Sequence, residues 1–162
     1  MGQIKVEKNA GGIEGLCTIT PTVHGDARGY FVETYNQNDM KEAGLTMKFV
    51  QDNQSSSTKG VLRGLHYQKE HPQGKLVRVI RGSVFDVAVD LRKDSKTYGK
   101  WYGIELTEEN INSSIFRRAS RMDFLCSAIS PNSAINARTS IVRATKAAWP
   151  GMIRSLASYG HR

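Results

Sequence analysis

Short apolar or alternating runs, separated by Gly, Pro, Asn and Asp, extend from Ile4 to Leu106. Short runs bounded by turn formers are typical of β-strands rather than helices. We therefore predict an all-β domain with strands at 29–35, 46–51, 61–68, 75–81, 83–91 and 101–106. Helix is limited to two capped turns, at 38–43, which Gly44 ends, and at 107–110, which Thr107 caps.

The run 83–91 shows the clearest alternation and follows a tight hairpin at Gly82. A two-residue period places alternate side chains on opposite faces of a sheet. One face carries Phe85, Val87, Val89 and Leu91, and the other carries Val84, Asp86, Ala88 and Asp90. We expect the first face to be core and the second to meet a polar interior or solvent.

The pattern ends near Ser114. Residues 1–114 have a net charge of +1, whereas residues 115–162 have a net charge of +7, contain seven arginines and show no strand or helix period. We therefore divide the chain into a β domain, 1–114, and a tail, 115–162, that we predict to be poorly ordered. A basic arm that binds nucleic acid is the alternative for such a tail.

Length and composition narrow the class of protein. The 162 residues, 39% of them hydrophobic, fit one domain. The sequence contains no apolar run of about 18 residues and no apolar leader, so we expect a cytoplasmic protein that does not contact membranes. Cys17 and Cys126 lack a C-x-x-C spacing, and we expect both to be free thiols.

Polar residues interrupt the strand pattern in four segments, at 26–33, 51–53, 63–68 and 74–78. Burying such groups on a strand face is costly unless they pair with one another or meet a polar ligand. A lined pocket is therefore the simplest interpretation.

His66 is the natural group for proton transfer, because histidine titrates closest to neutral pH. The alternative is a structural histidine. Arg63 lies three residues earlier, which in a regular strand places the two on opposite faces. A bulge at Gly64 would bring them to the same face.

Other polar residues suit phosphate oxygens, or sugar hydroxyls and base edges. Arg28 and Lys75 match phosphate oxygens, although surface ion pairs are the alternative for each. Gln51 and Asn53 would share a strand face and offer amide groups to sugar hydroxyls or a base edge. The alternative there is a hydrogen-bonded turn that leads into 55–57.

In order and content these segments closely resemble the dTDP-4-dehydrorhamnose 3,5-epimerase family, over residues 3–112. The matching segments are Arg28-Gly29-Tyr30-Phe31-Val32-Glu33, Val50-Gln51-Asp52-Asn53, Gly60-Val61-Leu62-Arg63-Gly64-Leu65-His66-Tyr67-Gln68, Lys75-Leu76-Val77-Arg78 and Asp86-Val87-Ala88-Val89-Asp90-Leu91-Arg92.

The resemblance implies a cupin-like jelly roll that acts as a homodimer without metal or cofactor. In keeping with that, His66 is followed by Tyr67 and Gln68 rather than by the His-x-His pair and Glu of metal-binding cupins. The implied reaction inverts dTDP-4-dehydro-6-deoxy-D-glucose at C3 and C5, which makes the protein an isomerase. His66 matches the family's base, and Arg63 and Lys75 match cations near the enolate and the nucleotide. The remaining matched substrate contacts are Arg28, Glu33, Gln51, Asp52 and Asn53.

The resemblance stops after Asn112, where the family continues with Ile-Pro-x-Gly-Phe-Ala-His-Gly-Phe, then a strand with the acid tyrosine, then Trp-Asn-Asp-Pro. Back-translation read one frame over can restore these motifs. Met122-Asp123 must then give Gly, Trp149-Pro150 must give Ala and Met152-Ile153 must give Asp, all in register. We hypothesise that a one-frame shift near codon 114 replaced the last 48 residues. The jelly roll would then lack its C-terminal strands, the acid tyrosine and the aspartate that orients His66.

Three hypotheses follow. The chain is an epimerase damaged in its C-terminal third, or a non-catalytic remnant that still binds nucleotide sugars, or a carrier of a nucleic-acid-binding tail. We expect no nucleic-acid partner, because the frame shift accounts for the excess of arginine. A relative that inverts only one carbon also remains open.

Overall fold

The computed structural model describes residues 3–67, 73–116, 124–129, 135–141 and 147–148, with side chains over 3–65 and 73–116. Its strands and helices alternate with short turns. They are β1 (Ile4–Lys8), a 3-10 turn (Ala10–Gly12), β2 (Leu16–Pro21), β3 (Val23–Asp26), β4 (Gly29–Val32), α1 (Gln37–Glu42), β5 (Gln51–Ser57), β6 (Leu62–Tyr67), β7 (Lys75–Arg81), β8 (Ser83–Asp90), β9 (Trp101–Thr107), β10 (Ser113–Phe116), β11 (Phe124–Ile129), β12 (Ile135–Ile141) and β13 (Ala147–Ala148).

Two antiparallel sheets form the body. The first has the strand order β1-β2-β10-β7-β12-β5, and the second has the order β13-β6-β11-β8-β9. A separate two-stranded sheet, β3 paired with β4, forms a hairpin over residues 23–32, which we call the arm. Among the described strands, the arm shares no ladder with either body sheet.

The main core lies between the two body sheets. It contains Val77 and Val79 of the first sheet and Val84, Ala88 and Leu106 of the second, with Tyr102 packed at its margin. A second cluster covers the outer side of the first sheet, where Met40 and Leu45 pack on Cys17 and Leu76. Burial of each large apolar side chain stabilises the folded state by about 1.5–3 kcal/mol, so these clusters account for much of the stability.

The burial of β8 confirms that the face with Val87 and Val89 is packed as core. Both of its faces are covered, and the face that holds Val84 and Ala88 is the one that looks into the sandwich. Val87 and Val89 instead pack with Leu65 on the other side of the same sheet. Of the two environments expected for the face with the aspartates, interior or solvent, the structure shows the interior, where Asp86 and Asp90 accept hydrogen bonds.

The strand predictions hold in part. β7 has the predicted bounds, and β6, β8 and β9 lie within two residues of theirs. The predicted strand 46–51 is wrong, since the strand there is β5, Gln51–Ser57, which contains no apolar residue and is held by a ladder to β12. The helical turn is confirmed as α1, which Asn36 caps and which Gly44 follows at a φ of 76°.

The end of the predicted β domain falls inside a strand. Ser114 lies within β10, which pairs with β2 and β7 on its two sides. Strands β11, β12 and β13 lie within 115–162, and the other residues beyond 116 lie outside the described ones. Cys17 is buried and forms no disulfide within the described residues, whereas the side chain of Cys126 is outside the described set. No helix in the described ranges is long and apolar enough to cross a membrane.

Candidate functional site

The first sheet gathers three candidate residues on its inner face. Ladder partners in an antiparallel sheet point to the same side, so the register places Gln51 in one row with Lys75 and Phe116. Asn53 lies in the next row, with Val77. Phe116 and Val77 belong to the core between the sheets, so Gln51, Asn53 and Lys75 share that inner side.

These three side chains lie at the margin of the core rather than within it. Gln51 and Asn53 are exposed and Lys75 is half-buried. Nε2 of Gln51 donates to Oδ1 of Asn53 at 3.1 Å, as expected for two amides one period apart on a strand. Residues 51–53 therefore form a strand, as predicted, and not the alternative hydrogen-bonded turn. This edge of the sheet offers amide donors and acceptors beside the Lys75 cation.

Strand β6 carries the bulge that the sequence suggested. His66 pairs with Cys126 and Arg63 pairs with Ala128, so three steps on β6 match two steps on β11. Gly64, at a φ of 146°, adopts the backbone conformation that favours glycine. The bulge puts positions 63 and 66 on one face of the sheet.

That face is the inner one. Position 66 shares a row with Ala88 through Cys126, and Arg63 shares a row with Asp86 through Ala128. Ala88 is part of the core between the sheets. The backbone therefore places Arg63 and His66 opposite the sheet that carries Gln51, Asn53 and Lys75.

Arg63 joins the two sheets. Its Nε donates to Oγ of Ser57 at 2.6 Å, and its Nη2 donates to the carbonyl oxygen of Ser56 at 2.9 Å. Both serines belong to β5, so the guanidinium links β6 of the second sheet to β5 of the first. Ser57 could not be identified from the sequence, because a serine at the end of a polar strand carries no signal of its own.

Two buried aspartates also face the interior. Asp86 is 1% exposed and accepts a hydrogen bond from Oγ of Ser114, which lies on the facing sheet. Asp90 is fully buried and accepts from Arg92, Ser95 and Thr97. Within the described ranges no group of His, Cys, Asp or Glu could hold a metal ion.

Burial is the largest influence on the pKa of Asp90 and raises it. The hydrogen bonds from Arg92, Ser95 and Thr97 together outweigh burial and hold that pKa well below its ordinary value. Asp90 is therefore a carboxylate whose acceptor sites are already used by the loop that follows β8. It serves structure rather than ligand binding.

The arm carries Arg28, the third positively charged candidate residue. Arg28 lies at its tip and pairs with Asp26, with 2.5 Å between Nη2 and Oδ2. A cleft of about 470 Å³ follows the arm, and Tyr30 and Phe31, which line it, are 63% and 70% exposed. The structure therefore does not bring Arg28 to the candidate residues of the sandwich within this chain.

Glu33 and Asp52 also lie apart from the inner face. Glu33 is half-buried beyond the end of β4, where its Oε2 accepts from Nδ2 of Asn36 at 3.1 Å. Asp52 alternates with Gln51 and Asn53 along β5, so it points to the opposite side of the sheet. Of the predicted site residues, Gln51, Asn53, Arg63, Lys75 and position 66 thus form one constellation.

The larger part of this chain is similar in sequence to proteins of one known family. A family model described as dTDP-4-dehydrorhamnose 3,5-epimerase matches residues 10–116. The dTDP-4-dehydrorhamnose 3,5-epimerase of Methanothermobacter thermautotrophicus is 61% identical over 98 residues, which are 60% of this chain and 53% of that protein. The enzyme of the same name from Shigella flexneri is 55% identical over 112 residues, or 68% and 59% of the two chains. The chain therefore spans less than two thirds of the length of these curated relatives.

The fold is also similar to that of solved structures. The dTDP-6-deoxy-D-glucose-3,5-epimerase of Legionella pneumophila, in complex with dTDP-4-keto-L-rhamnose, superposes with a TM-score of 0.79 at 38% identity over 88% of this chain and 73% of that one. The dTDP-4-dehydrorhamnose 3,5-epimerase of Bacillus anthracis, with TDP and pyrophosphate bound, gives 0.80 at 34% identity over 88% and 79%. The expected cupin-like jelly roll is confirmed by these likenesses.

Proposed function

Because the chain belongs to the dTDP-4-dehydrorhamnose 3,5-epimerase family, we propose that it binds dTDP-4-dehydro-6-deoxy-D-glucose and is built to invert it at C3 and C5. The product is dTDP-4-dehydro-L-rhamnose, and the reaction is an isomerisation. One observation carries the proposal: Gln51, Asn53 and Lys75 share the inner face of one sheet, opposite the face that holds Arg63 and position 66.

The chemistry requires a base, a proton donor and stabilisation of negative charge. The 4-keto group acidifies the C–H bonds at C3 and C5, so His66 removes a proton and leaves an enolate on the keto oxygen. A donor on the opposite face of the sugar returns a proton, which inverts the carbon without net gain or loss of atoms. Arg63 and Lys75 supply fixed positive charge for the enolate or the nucleotide, an effect worth about 3 kcal/mol in comparable sites.

A second function, binding without turnover, is favoured by the place where the family match ends. That match stops at residue 116, and the charge and composition of the chain change near the same place. The hypothesised frame shift would remove the tyrosine that acts as the proton donor and the aspartate that orients His66. The contacts at Gln51, Asn53, Arg63 and Lys75 would remain.

Solvent exchange separates the two functions. The purified chain is incubated with the substrate in D₂O, and deuterium at C3 and C5 is followed by NMR while binding of dTDP is measured by calorimetry. An epimerase incorporates deuterium and a binder does not, whereas absence of both signals contradicts the proposal. His66→Gln serves as the control, because it must abolish incorporation while it leaves dTDP bound.

The same experiment addresses how many carbons react. A dTDP-4-dehydrorhamnose 3-epimerase of Streptomyces niveus is 46% identical over 99 residues, so single-carbon inversion is a close alternative. We propose inversion at both carbons. Deuterium at C3 alone would contradict this.

Sequencing of the source DNA across codons 105–125 tests the hypothesis of a shifted frame. One inserted or deleted base relative to the printed sequence would restore the family's motifs. We would then expect full turnover from the restored protein. DNA that matches the printed frame would instead establish the arginine-rich tail as genuine, and we would expect little or no turnover.

We further propose that the chain forms a homodimer through the arm. Tyr30 and Phe31 expose most of their rings on a hairpin that shares no ladder with the body among the described strands. Exposed aromatic side chains are typical of protein interfaces. A second copy of this chain is the partner that the family resemblance favours.

Analytical ultracentrifugation of Phe31→Ser tests the dimer. Loss of an aromatic anchor raises the dissociation constant about 30-fold or more. Tyr98→Ser is the matched control, because Tyr98 is 56% exposed but lies far from the arm in sequence. A monomeric unmodified chain, or equal effects of both variants, would contradict the arm as the dimer contact.

A further inference from the structure

Gln3 lies at the junction of three parts of the chain. Its carbonyl oxygen accepts from the backbone N–H of Thr22 at 2.7 Å, one step beyond the ladder that pairs Ile4 with Pro21. Its own N–H donates to Oδ2 of Asp39 at 2.7 Å. Its side-chain Oε1 lies 3.1 Å from Nε2 of His24.

These contacts reach the start of the arm and the helix that follows it. Thr22 is the single residue between the end of β2 and the start of β3, so it is the hinge by which the arm leaves the body. His24 is the second residue of the arm, and Asp39 lies in α1, the element that follows the arm. One residue of the body thus contacts the hinge, the arm and the helix after it.

We infer that Gln3 and His24 are positioning residues that fix the direction in which the arm leaves the body. Within the described strands, the ladder of the arm joins β3 to β4 alone, and such a ladder keeps the hairpin intact without setting its angle. The backbone bonds of Gln3 hold the hinge in place. The bond between the Gln3 amide oxygen and the His24 ring then adds a second point of attachment, and two points define an orientation.

The proposed benefit of a fixed arm rests on the proposed homodimer. An arm held in its bound direction loses less conformational freedom on association, and such pre-organisation strengthens binding without a new contact. The attachment itself is a property of one chain.

Hydrogen exchange measured by mass spectrometry tests the attachment, at protein concentrations below dimer formation. In Gln3→Ala, we expect exchange in peptides over 22–32 to accelerate about 2- to 10-fold, the range that corresponds to one net hydrogen bond. Gln37→Ala is the matched control, because Gln37 is an exposed glutamine at the start of α1.

Two substitutions of His24 separate the hydrogen bond from a general loss of packing. His24→Gln keeps an N–H donor at about the position of Nε2, so we expect near-normal exchange. His24→Asn cannot reach Gln3, so we expect the same acceleration as in Gln3→Ala. The double variant Gln3→Ala/His24→Asn should show no further acceleration, because both changes remove one contact.

Additive effects of the two changes, or normal exchange in Gln3→Ala, would overturn the inference. The dimer dissociation constant of His24→Asn is then compared with that of His24→Gln. A faster-exchanging arm without weaker dimers would leave the attachment established and contradict the arm's role in the homodimer, so the two proposals fail separately.

Discussion

Two pairs of Asp and Arg, each with one residue between the partners, lie in opposite environments. At the tip of the arm, Asp26 and Arg28 join Oδ2 to Nη2 at 2.5 Å, and at the end of β8, Asp90 and Arg92 do so at 2.8 Å. The arginine and aspartate side chains are 90% and 51% exposed in the first pair, and 14% and 0% exposed in the second. The spacing and the chemistry are the same, so any difference in their contributions is due to the surroundings.

Burial turns the second pair into a structural element. Asp90 also accepts from Ser95 and Thr97, and Arg92 also donates to the carbonyl oxygen of Glu14. These bonds attach the loop after β8 to the edge of the core. On the arm, the hydrogen bond from Arg28 lowers the pKa of Asp26, but water surrounds both groups and screens their attraction. We therefore expect the two pairs to respond very differently to the same substitution.

Asp90→Asn has the largest expected effect. It removes the buried anion beside the Arg92 guanidinium, which still lies 3.6 Å from the carboxylate of Glu14, and loss of the buried partner of an ion pair costs about 3 kcal/mol or more. Urea unfolding followed by circular dichroism should show this loss in the free energy of unfolding. Asp94→Asn, on the same loop but exposed, should leave the midpoint unchanged. Equal midpoints for the two variants would remove the distinction between buried and exposed pairs.

Acid should weaken the body through the same residue. The pKa of Asp90 is lower in the folded protein than its ordinary value of 3.8, so the unfolded chain binds a proton first as the pH falls. The stabilisation is therefore complete well above pH 3.8. It declines below that value by up to about 1.4 kcal/mol per pH unit. The difference in unfolding free energy between the unmodified chain and Asp90→Asn should shrink as the pH falls through this range, and a constant difference would contradict the assignment.

The sequence predicted the body better than the arrangement of polar groups. β7 could be bounded from its apolar residues, whereas β10 was missed because two serines occupy a strand that is buried on both sides. Ser114 is tolerated there because it donates to Asp86 of the other sheet. β5 was displaced in the prediction because its seven residues are all polar. In both cases the stabilising partner lies on another strand, and a local pattern cannot reveal it.

The candidate site shows the same limit. The bulge that aligns Arg63 with position 66 could be predicted from Gly64, because glycine marks such irregularities locally. The separation of Arg28 from Lys75 could not be predicted, since both were chosen for their charge alone. Which of these two candidate residues lies on the arm depends on how the hairpin leaves the body.

Ser57→Ala should have a moderate effect at the junction of the two sheets. It removes the acceptor of Arg63 Nε, and a hydrogen bond to a charged group contributes about 1.5 kcal/mol. We expect a similar loss in the unfolding free energy. Binding of dTDP, measured by calorimetry, should weaken about tenfold because the guanidinium is no longer held across the sandwich. Ser56→Ala is the matched control, since Arg63 uses only the carbonyl oxygen of Ser56.

Asp26→Asn has the smallest expected effect on stability. The substitution removes the charge that faces Arg28, but both side chains lie in water, where an ion pair gains little over hydration. In the unmodified chain the backbone N–H of Arg28 donates to Oδ1 of Asp26 at 2.8 Å. The asparagine oxygen can still accept this hydrogen bond. We expect an unfolding midpoint in urea equal to that of the unmodified chain, measured beside Asp90→Asn under the same conditions. A loss as large as that of Asp90→Asn would mean that the arm is covered in solution, and the effect should then vanish when the protein is diluted below its dimer dissociation constant.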